Sequence, residues 1–521
     1  MRRPVILAAV VWLLCSAAIA SARQVTVPLY GRFETQVAHD GAYANPFQDV
    51  VLDATFSAPS GRKVAFFGFY DGDGKGGQHG NVWKLRFMPD EAGEWSYTCC
   101  FSNGASAAGG RFVCVKDGAR PGPLHVDGTH FVHPDRRMFQ PRSYYYSEAF
   151  CGDWTAASQG IETFFHTTGG FNWCCTTFWQ GPLLASHKWN ALPFNGFYPI
   201  RGDDYTVLDL GSWRHVDEVL DELEKRDVVW FNFDGFVPNV GGTMSSMQRL
   251  DFDAQKIYIR NAVARLAPYW NVTWNVAFEW QEFMKAEQVA QLVDYVHAID
   301  PWKRPVTVHD QGKFTSAEEV MKNLHVDFVT LQYDAGRCGD ALKAAAFVSP
   351  FAGKCPVYAH EVTWEGPDKL DGDGVRRGAW GVAMAGGIVN YAEQFDQVYG
   401  NGDGFRYVAI LLDLVDSLPW DRMEPRNDLV GPGHLCFALE GEAYVVYAPA
   451  GGPVALDLTN AKGRFKAMRL DAETGERRIL GEGGDDSEVM GGAKRLFTFH
   501  KGSESCFYLV RETPQVVRID P

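Results

Sequence analysis

Short hydrophobic runs separated by turn residues characterise both ends of the chain. In the N-terminal part, Val50–Leu52 and Val64–Phe67 are such runs, and the turn clusters Asp71–Gly74 and Pro89–Gly93 interrupt the pattern. Several short strands with regularly spaced turn signals are typical of a β-sandwich. The pattern therefore predicts an N-terminal β-sandwich over residues 24–118.

The same alternation returns near the C-terminus. Ala443–Ala448, Phe465–Leu470 and Cys506–Val510 are apolar runs, and Ala472–Gly475 is a turn cluster between two of them. By the same reasoning, residues 428–515 are predicted to form a second β-sandwich.

The central segment, residues 125–425, has a different pattern, in which strand-like runs alternate with helical ones. Helical spacing (i, i+3, i+4, i+7) is found at Val216, Val219, Leu220 and Leu223, and again at Val289, Leu292, Val293 and Val296. The eight strand candidates are Met138–Tyr145, Gly170–Phe178, Val228–Phe233, Val272–Phe278, Pro305–His309, Val326–Tyr333, Val357–His360 and Gly387–Tyr391. Eight β-then-α units predict a (β/α)₈ TIM barrel. An open doubly wound sheet is disfavoured, because no glycine-rich phosphate loop follows the first strand.

Residues 1–22 have the pattern of a cleaved signal peptide. Arg2 and Arg3 precede an apolar run over Pro4–Leu14, and small residues follow at Ala20–Ala22. The apolar run is short for a membrane span, which needs about 20 residues. We therefore expect a secreted or periplasmic protein whose mature form is not held in a membrane.

The charge of the chain disfavours nucleic acid and anionic lipid as partners, and its aromatic content favours a ligand with apolar faces. The 521 residues include 64 acidic and 49 basic ones, for a formal net charge of -15. A chain this acidic is poorly suited to binding nucleic acid or anionic lipid, both of which need an excess of Lys and Arg. Aromatic residues make up 14%, which suits a protein that offers flat apolar faces to a ligand.

The cysteines indicate no metal site or cofactor. Eleven are present, and ten remain after the signal peptide with its Cys15; an even number in an exported protein permits disulfides. The neighbours Cys99-Cys100 and Cys174-Cys175 do not readily bridge to each other. With no C-x-x-C or H-E-x-x-H pattern, the expectation is buried thiols with one or two disulfides at most.

Two glutamates are the candidate catalytic pair. In a TIM barrel the reacting groups lie at the C-terminal ends of the strands, and Glu279 and Glu361 each directly follow an apolar strand. A carboxylate buried there costs free energy unless it is paired or used. Cleavage of a glycosidic bond uses two carboxyl groups, one as acid and one as nucleophile or base. The alternative for each is a salt-bridged or solvated loop residue, and other carboxylates at strand ends remain possible: Asp234, Glu282, Asp310, Asp334 and Glu365.

Polar and aromatic residues at the same strand ends are candidates for binding the substrate. The predicted set is Asn172, Trp173, Asn232, Asp234, Asn275, Trp280, His309, Gln332, Tyr333 and Trp364. Tyr333 could donate a hydrogen bond to Glu361, and His309 could orient a substrate hydroxyl or the acid. The tryptophans could stack on sugar rings, and residues 181–205 are long enough to form a wall or lid. For each of these residues the alternative is a packing role in the core.

Several segments resemble a known family of enzymes. Asn45–Phe47, Gly68–Gly72 and Trp83–Pro89 resemble an N-terminal β-sandwich of unknown function found on glycoside hydrolases. The centre resembles clan A glycoside hydrolases, above all the apiosidase-like barrels. Tyr444–Pro449 and Arg469–Glu476 resemble a C-terminal module that carries the name of a collagen-binding domain, although nothing in the residues argues for collagen.

The resemblance implies a retaining mechanism with Glu279 as acid/base and Glu361 as nucleophile. Clan A enzymes usually carry Asn immediately before the acid/base, whereas this chain has Phe278. Asn275 or Gln332 would then have to contact the 2-hydroxyl of the substrate, and an aspartate, Asp234 or Asp310, is the alternative acid.

Together these observations predict a secreted glycoside hydrolase acting on a plant or algal polysaccharide or on an oligosaccharide derived from one. The alternatives are a non-catalytic glycan-binding barrel and a polysaccharide lyase. An esterase is disfavoured because the chain has no G-x-S-x-G motif. The sequence makes no prediction of the oligomeric state.

Overall fold

The computed structural model describes residues 25–146, 154–167, 170–176, 199–201, 204–237, 252–310, 312–314, 316–393, 402–480 and 488–512. The chain is multidomain and rich in sheet, with a parallel sheet in its central segment, as predicted. Within these ranges no helix is both long and apolar enough to cross a membrane. The predicted signal peptide lies outside them.

Two facing sheets form the N-terminal part. Five strands pair in the order β1-β8-β7-β3-β4 and three in the order β2-β6-β5. The strands are β1 (Thr26–Pro28), β2 (Phe33–Ala38), β3 (Leu52–Ser57), β4 (Lys63–Phe67), β5 (Phe69–Tyr70), β6 (Val82–Phe87), β7 (Gly93–Phe101) and β8 (Ser106–Val115).

Aromatic rings from both sheets fill the space between them. Phe33 and Phe87 come from the smaller sheet, and they stack on Phe112 and Phe56 of the larger one at centroid distances of 4.3 and 3.9 Å. All four rings are buried. Because side chains alternate between the two faces of a strand, one apolar residue in every two is enough to build this core.

A small antiparallel sheet connects this part to the central segment. It consists of β9 (His125–Asp127), β10 (His130–Val132) and β11 (Met138–Phe139). Phe131 of β10 packs on Trp173 and Phe328, with centroid distances of 5.3 and 5.1 Å. The predicted strand Met138–Tyr145 is therefore two strands, β11 and the first strand of the central segment.

The central segment alternates strands and helices. Its strands are β12 (Ser143–Tyr145), β13 (Trp173–Thr176), β14 (Ile200–Arg201), β15 (Asp204–Leu208), β16 (Val229–Asn232), β17 (Trp274–Asn275), β18 (Val306–Thr307), β19 (Val329–Gln332), β20 (Val357–Glu361), β21 (Trp364–Glu365) and β22 (Ile388–Glu393). Its helices are α1 (Trp154–Glu162), α2 (Leu210–Glu224), α3 (Phe252–Leu266), α4 (Ala286–Ile299), α5 (Ala317–Leu324), α6 (Ala341–Val348), α7 (Gly372–Met384) and α8 (Asp403–Asp416).

Each of the eight predicted strand segments contains an observed strand, and these eight pair in parallel. β19, β20, β22, β12, β13 and β16 are neighbours in that order, and β17 pairs with β18. Two isolated parallel bridges join the six-strand group to the β17–β18 pair. Trp230 of β16 pairs with Val272, just before β17, and His309, just after β18, pairs with Thr330 of β19. The strands' C-terminal ends consequently meet at one rim.

Helix faces and caps follow the sequence pattern. Val216, Val219, Leu220 and Leu223 of α2 are fully buried, as the spacing predicts. The side chain of Asp209 accepts a hydrogen bond from the backbone N–H of Ser212 at the start of this helix. Ser316, Asp340 and Asp371 cap α5, α6 and α7 in the same way.

The C-terminal part again consists of two antiparallel sheets around a core of their own. The strands are β23 (Glu424–Pro425), β24 (Leu435–Leu439), β25 (Ala443–Ala448), β26 (Pro453–Asp457), β27 (Arg464–Leu470), β28 (Arg477–Ile479), β29 (Glu488–Met490), β30 (Lys494–Thr498) and β31 (Ser505–Arg511). β26 pairs with β30, and the other strands form the larger sheet. The ring of Tyr447 stacks on Trp380 of α7 at 5.0 Å, which attaches this part to the central segment.

The positions of the cysteines agree with the expectation of buried thiols. Of the nine cysteines that the structure describes, eight are buried. Cys174 and Cys175 are consecutive residues of β13 and are both enclosed, so they pack as small apolar side chains.

Candidate active site

Both candidate glutamates lie at the rim where the central strands end. Gln332 and Glu361 are the last residues of the adjacent strands β19 and β20, and they pair with each other across a register shift after Thr330. Such an irregularity re-aims side chains at the end of a strand. Glu279 follows β17 and begins a short 3₁₀ turn over Trp280–Glu282.

The amide of Gln332 links the two glutamates. Its Nε2 donates to Oε1 of Glu279 and to Oε2 of Glu361, each at 3.0 Å. Since both oxygens are 3.0 Å from the same nitrogen, they are no more than about 6.0 Å apart. The structure therefore brings together two carboxyl groups that are 82 positions apart along the chain.

Glu279 has a strained backbone and a perturbed side chain. Its φ is 47° and its ψ is 37°, the left-handed region that residues other than glycine rarely adopt. Burial raises the pKa of Glu279 and the charge of Glu361 adds to this effect, while His309 and Gln332 oppose it. A carboxyl group with a raised pKa holds a proton to higher pH and is suited to act as an acid.

The buried side chain of His309 contacts Glu361. Its Nε2 lies 3.1 Å from Oε2 of Glu361 and 3.0 Å from Nδ1 of His360. Nε2 of His360 in turn lies 3.0 Å from Sγ of Cys175. Burial strongly lowers the pKa of His360, so this residue is neutral and continues a chain of polar contacts into the interior.

Phe278 occupies the position before Glu279 as a packing residue. Its ring contacts those of Phe233 and His309 at centroid distances of 4.6 and 4.5 Å. The amide of Asn275 donates to the backbone oxygen of Phe233 at 2.7 Å. Of the two amides considered for the missing contact to the substrate, Gln332 is the one that touches the candidate catalytic groups.

The other carboxylates at the rim have structural partners. Asp310 accepts hydrogen bonds from the side chain of Gln281 and from the backbone N–H groups of Lys313 and Phe314. Glu365 accepts from the hydroxyl of Tyr391 and from the backbone N–H of Gly404 at the start of α8. Asp310 therefore anchors its loop, and Glu365 supports α8.

The remaining two carboxylate alternatives on nearby turns are exposed. Glu282 and Asp334 both lie in 3₁₀ turns with their side chains toward solvent, and Asp334 forms an ion pair with Arg337. Asp234 differs, because it is buried directly after β16. Asn232, the last residue of that strand, donates to the backbone oxygen of Gly235 at 2.9 Å. Asn232 and Asp234 thus belong to one buried turn at the rim.

Trp364 forms part of an aromatic wall. Its ring stacks on Tyr145 at 5.3 Å, and the ammonium of Lys369 lies 4.9 Å from its centroid. Burial lowers the pKa of Lys369, and the charge of Glu361 opposes that shift. This places Trp364 and Lys369 beside the second glutamate.

Four of the predicted binding residues are placed differently from expectation. Asn172 and Trp173 lie at the opposite, N-terminal end of β13, where Asn172 donates to the backbone oxygen of Gln140. Trp173 packs there against Phe131. The prediction is wrong because β13 begins at Trp173, so both residues lie where this strand starts and not where it ends.

Tyr333 and Trp280 face away from the two glutamates. The ring of Tyr333 packs on Phe347 of α6 at 5.0 Å, and only its backbone N–H donates to the carbonyl of Glu361. Trp280 lines a separate cavity of about 200 Å³ with Phe314 and residues of α5. Tyr333 directly follows Gln332 in extended backbone, so its side chain turns to the other side of the chain.

Two residues at the site were not in the predicted set. His360 directly precedes Glu361, and that adjacency was a usable signal. Lys369 lies in the loop 366–371, where the pattern of the sequence carries no indication of its position. Most of the predicted wall over residues 181–205 lies outside the described ranges; its final part forms the antiparallel pair β14–β15.

Comparison with known families agrees with the predicted resemblance. Residues 170–401 match the family described as "Apiosidase-like, catalytic domain", and residues 26–102 match a domain of unknown function, DUF5060. No curated protein matches the chain.

Solved structures resemble the whole fold. A candidate glycoside hydrolase from Bacteroides vulgatus has a TM-score of 0.74 at 20% identity, covering 94% of this chain and 100% of its own. A family 5 glycoside hydrolase from the same organism has a TM-score of 0.61 at 16% identity, with coverages of 75% and 95%. At these identities the likeness concerns the fold.

Proposed function

From the premise that this chain is a glycoside hydrolase with an apiosidase-like catalytic domain, we propose that it cleaves glycosidic bonds with retention of configuration. Glu279 acts as acid and then base, and Glu361 acts as the nucleophile. The substrate is a plant or algal polysaccharide or an oligosaccharide derived from one. The protein is exported, and its signal peptide is residues 1–22.

The bridge made by Gln332 is the observation that carries this proposal. Retaining enzymes hold their two carboxyl groups roughly 5–5.5 Å apart, whereas inverting enzymes leave roughly 6.5–9.5 Å for a water molecule. The two oxygens that share the amide nitrogen of Gln332 are at most about 6.0 Å apart, which is compatible with the smaller separation. The spacing therefore supports direct attack by one carboxylate.

The surroundings of each glutamate support its role. The raised pKa of Glu279 favours a protonated group that can donate to the leaving oxygen. Glu361 accepts from Gln332 and lies against His309, and such contacts hold a carboxylate in place for attack. Once the glycosyl-enzyme has formed, the deprotonated Glu279 can take a proton from the attacking water.

We further propose the domain layout: a closed (β/α)₈ barrel over residues 125–425 with sandwiches at 24–118 and 428–515. The ring of parallel pairings and bridges through all eight strands supports closure. Two facing sheets at each end of the chain support the sandwiches.

A neutral glycan fits the site better than a strongly anionic one. Two arginines of the central segment that could pair with a uronate or sulfate already have acidic partners: Arg142 pairs with Asp413 and Asp416, and Arg201 with Asp209. The net charge of -15 also disfavours a polyanion.

Replacing each glutamate tests the assignment. Glu361→Gln should lower turnover on any substrate by several orders of magnitude, because no covalent intermediate can form. Glu279→Gln should do the same on natural glycans, yet retain the first step on aryl glycosides whose leaving group needs no proton. Glu282→Gln, an exposed neighbour on the same turn, is the matched control and should keep full activity. Product chromatography on a panel of polysaccharides, with NMR of the first-formed anomer, is the measurement.

Other outcomes point to other mechanisms. Full activity in Glu279→Gln together with loss in Asp234→Asn would make the buried aspartate the acid. An inverted first product would exclude Glu361 as nucleophile. Glycan binding with no released reducing ends would indicate a non-catalytic barrel, and products that absorb in the ultraviolet would indicate a lyase.

A further inference from the structure

Three ligand-type side chains meet below the rim. Nε2 of His309 lies 3.0 Å from Nδ1 of His360 and 3.1 Å from Oε2 of Glu361, and each of the three residues offers one ligand atom within 4.8 Å of those of the other two. Two imidazole nitrogens and a carboxylate oxygen suit zinc and neighbouring transition metals. We propose that His309, His360 and Glu361 bind one such divalent ion.

The spacing and the access route fit an ion. Ligand atoms that share one zinc ion, at roughly 2.0–2.2 Å each, lie about 3 Å or slightly more from one another. His309 and His360 are fully enclosed, whereas Glu361 retains 5% exposure. An ion therefore enters from the rim, past the side of Glu361.

The hydrogen bonds of His360 favour the tautomer whose Nδ1 can bind an ion. A neutral imidazole carries one N–H, and Nε2 of His309 can donate to Oε2 of Glu361 or to Nδ1 of His360. Nδ1 of His360 is then the bare nitrogen, and its proton resides on Nε2, 3.0 Å from Sγ of Cys175. Metal-bound histidines are commonly fixed through their second nitrogen in this way.

His309 limits the affinity. To bind an ion through Nε2 it must carry its proton on Nδ1, which is buried with no hydrogen-bond partner in the described part of the chain. An unsatisfied buried N–H destabilises this tautomer. We therefore expect micromolar binding rather than the tight binding of a structural metal.

Binding has a consequence for catalysis that depends on the proposed function. An ion on Oε2 of Glu361 occupies the lone pair that would attack the sugar. Zn²⁺ should consequently inhibit hydrolysis, in competition with the substrate and reversibly on addition of a chelator.

Zinc chloride titrated into chelator-treated full-length protein tests the site. Calorimetry should show one Zn²⁺ per chain, and X-ray absorption at the zinc edge should show two imidazole ligands. His360→Asn should weaken binding at least tenfold. His325→Ala is the matched control, because His325 also lies against a carboxylate, that of Asp294, but is exposed and is not one of the three proposed ligands. The affinity of this variant for Zn²⁺ should equal that of the wild type.

Three results would overturn the site: no stoichiometric binding, an absorption spectrum without imidazole ligands, or unchanged affinity in a folded His360→Asn. The wild-type absorption spectrum decides the question even where the variant does not fold. Calorimetry needs no turnover, so a protein that binds Zn²⁺ as described but hydrolyses nothing contradicts the proposed function and leaves the metal site standing.

Discussion

Among single residues, Gln332 has the largest influence on the candidate site. Its one amide nitrogen donates to both glutamates, and it is buried at 7% exposure. Without it two acidic groups would face each other with no shared donor. Gln332 therefore limits the distance between the two carboxyl groups, and its hydrogen bond lowers the pKa of Glu279.

We expect Gln332→Ala to lower kcat by about 10- to 100-fold. A hydrogen bond to a charged group is worth about 1.5–3 kcal/mol, and 1.36 kcal/mol corresponds to a factor of ten in rate. Gln288→Ala, at the exposed start of α4, is the control and should leave kcat unchanged. An unaltered kcat in Gln332→Ala would contradict a role for the bridge.

The raised pKa of Glu279 predicts the alkaline limb of the pH profile. The acid is active only while protonated, so activity falls as pH rises through this pKa, which lies above the ordinary value of about 4.3. With an aryl glycoside that needs no acid, this limb should be absent in Glu279→Gln. Measuring kcat/KM from pH 4 to pH 9 for both proteins checks this; a limb that persists in the variant belongs to another group.

Among the elements, helix α7 shows how closely the central segment is packed. A Cβ at Gly378 would overlap the backbone oxygen of Cys338 and the side chain of Thr363. The glycine thus lets the helix lie directly on the loop after β19 and on the segment after β20. Glu361 is the last residue of β20.

Gly378→Ala should destabilise the protein, although alanine is favoured over glycine in helices by about 1 kcal/mol. The overlap with backbone requires a shift of the helix, and overpacking typically costs about 1–3 kcal/mol. Gly211→Ala in α2 is the matched control, since the nearest atom to its Cβ would be 3.4 Å away; it should be neutral or stabilising. Urea unfolding of both variants is the measurement, and equal stabilities would refute the packing argument.

For the molecule as a whole, a buried ionic network joins the N-terminal sheets to the central segment. Asp217 of α2 accepts from Arg86 of β6 and from Arg265 of α3. Arg265 also pairs with Asp71, which pairs with Lys84. Burial would raise the pKa of Asp217, but the two guanidinium groups outweigh it and hold that pKa well below its ordinary value.

Asp217→Ala should cost about 3–5 kcal/mol of unfolding free energy, because it leaves two buried arginines without their shared partner. Asp221→Ala removes the partly exposed partner of Arg32 and should cost less than about 1 kcal/mol. A lowered pKa means that Asp217 stabilises the fold above its unfolded pKa of about 3.9 and loses this effect as pH falls toward the folded value. The difference between wild type and Asp217→Asn should therefore shrink below about pH 4; a constant difference would contradict the network.

The order of strands and helices, the buried faces of α2 and α4 and the position of both glutamates at strand ends followed from the sequence. Hydrophobic periodicity is a local property that each segment carries by itself. By contrast, only the tertiary structure decided that Asn172 and Trp173 lie at the far end of β13 and that Tyr333 turns outward. The register of each strand determines which side chains face the rim, and that register is set by neighbours distant in the chain. The contact of Gln332 with both glutamates and the meeting of His309, His360 and Cys175 arise for the same reason, since strands remote in sequence become adjacent only when the sheet forms.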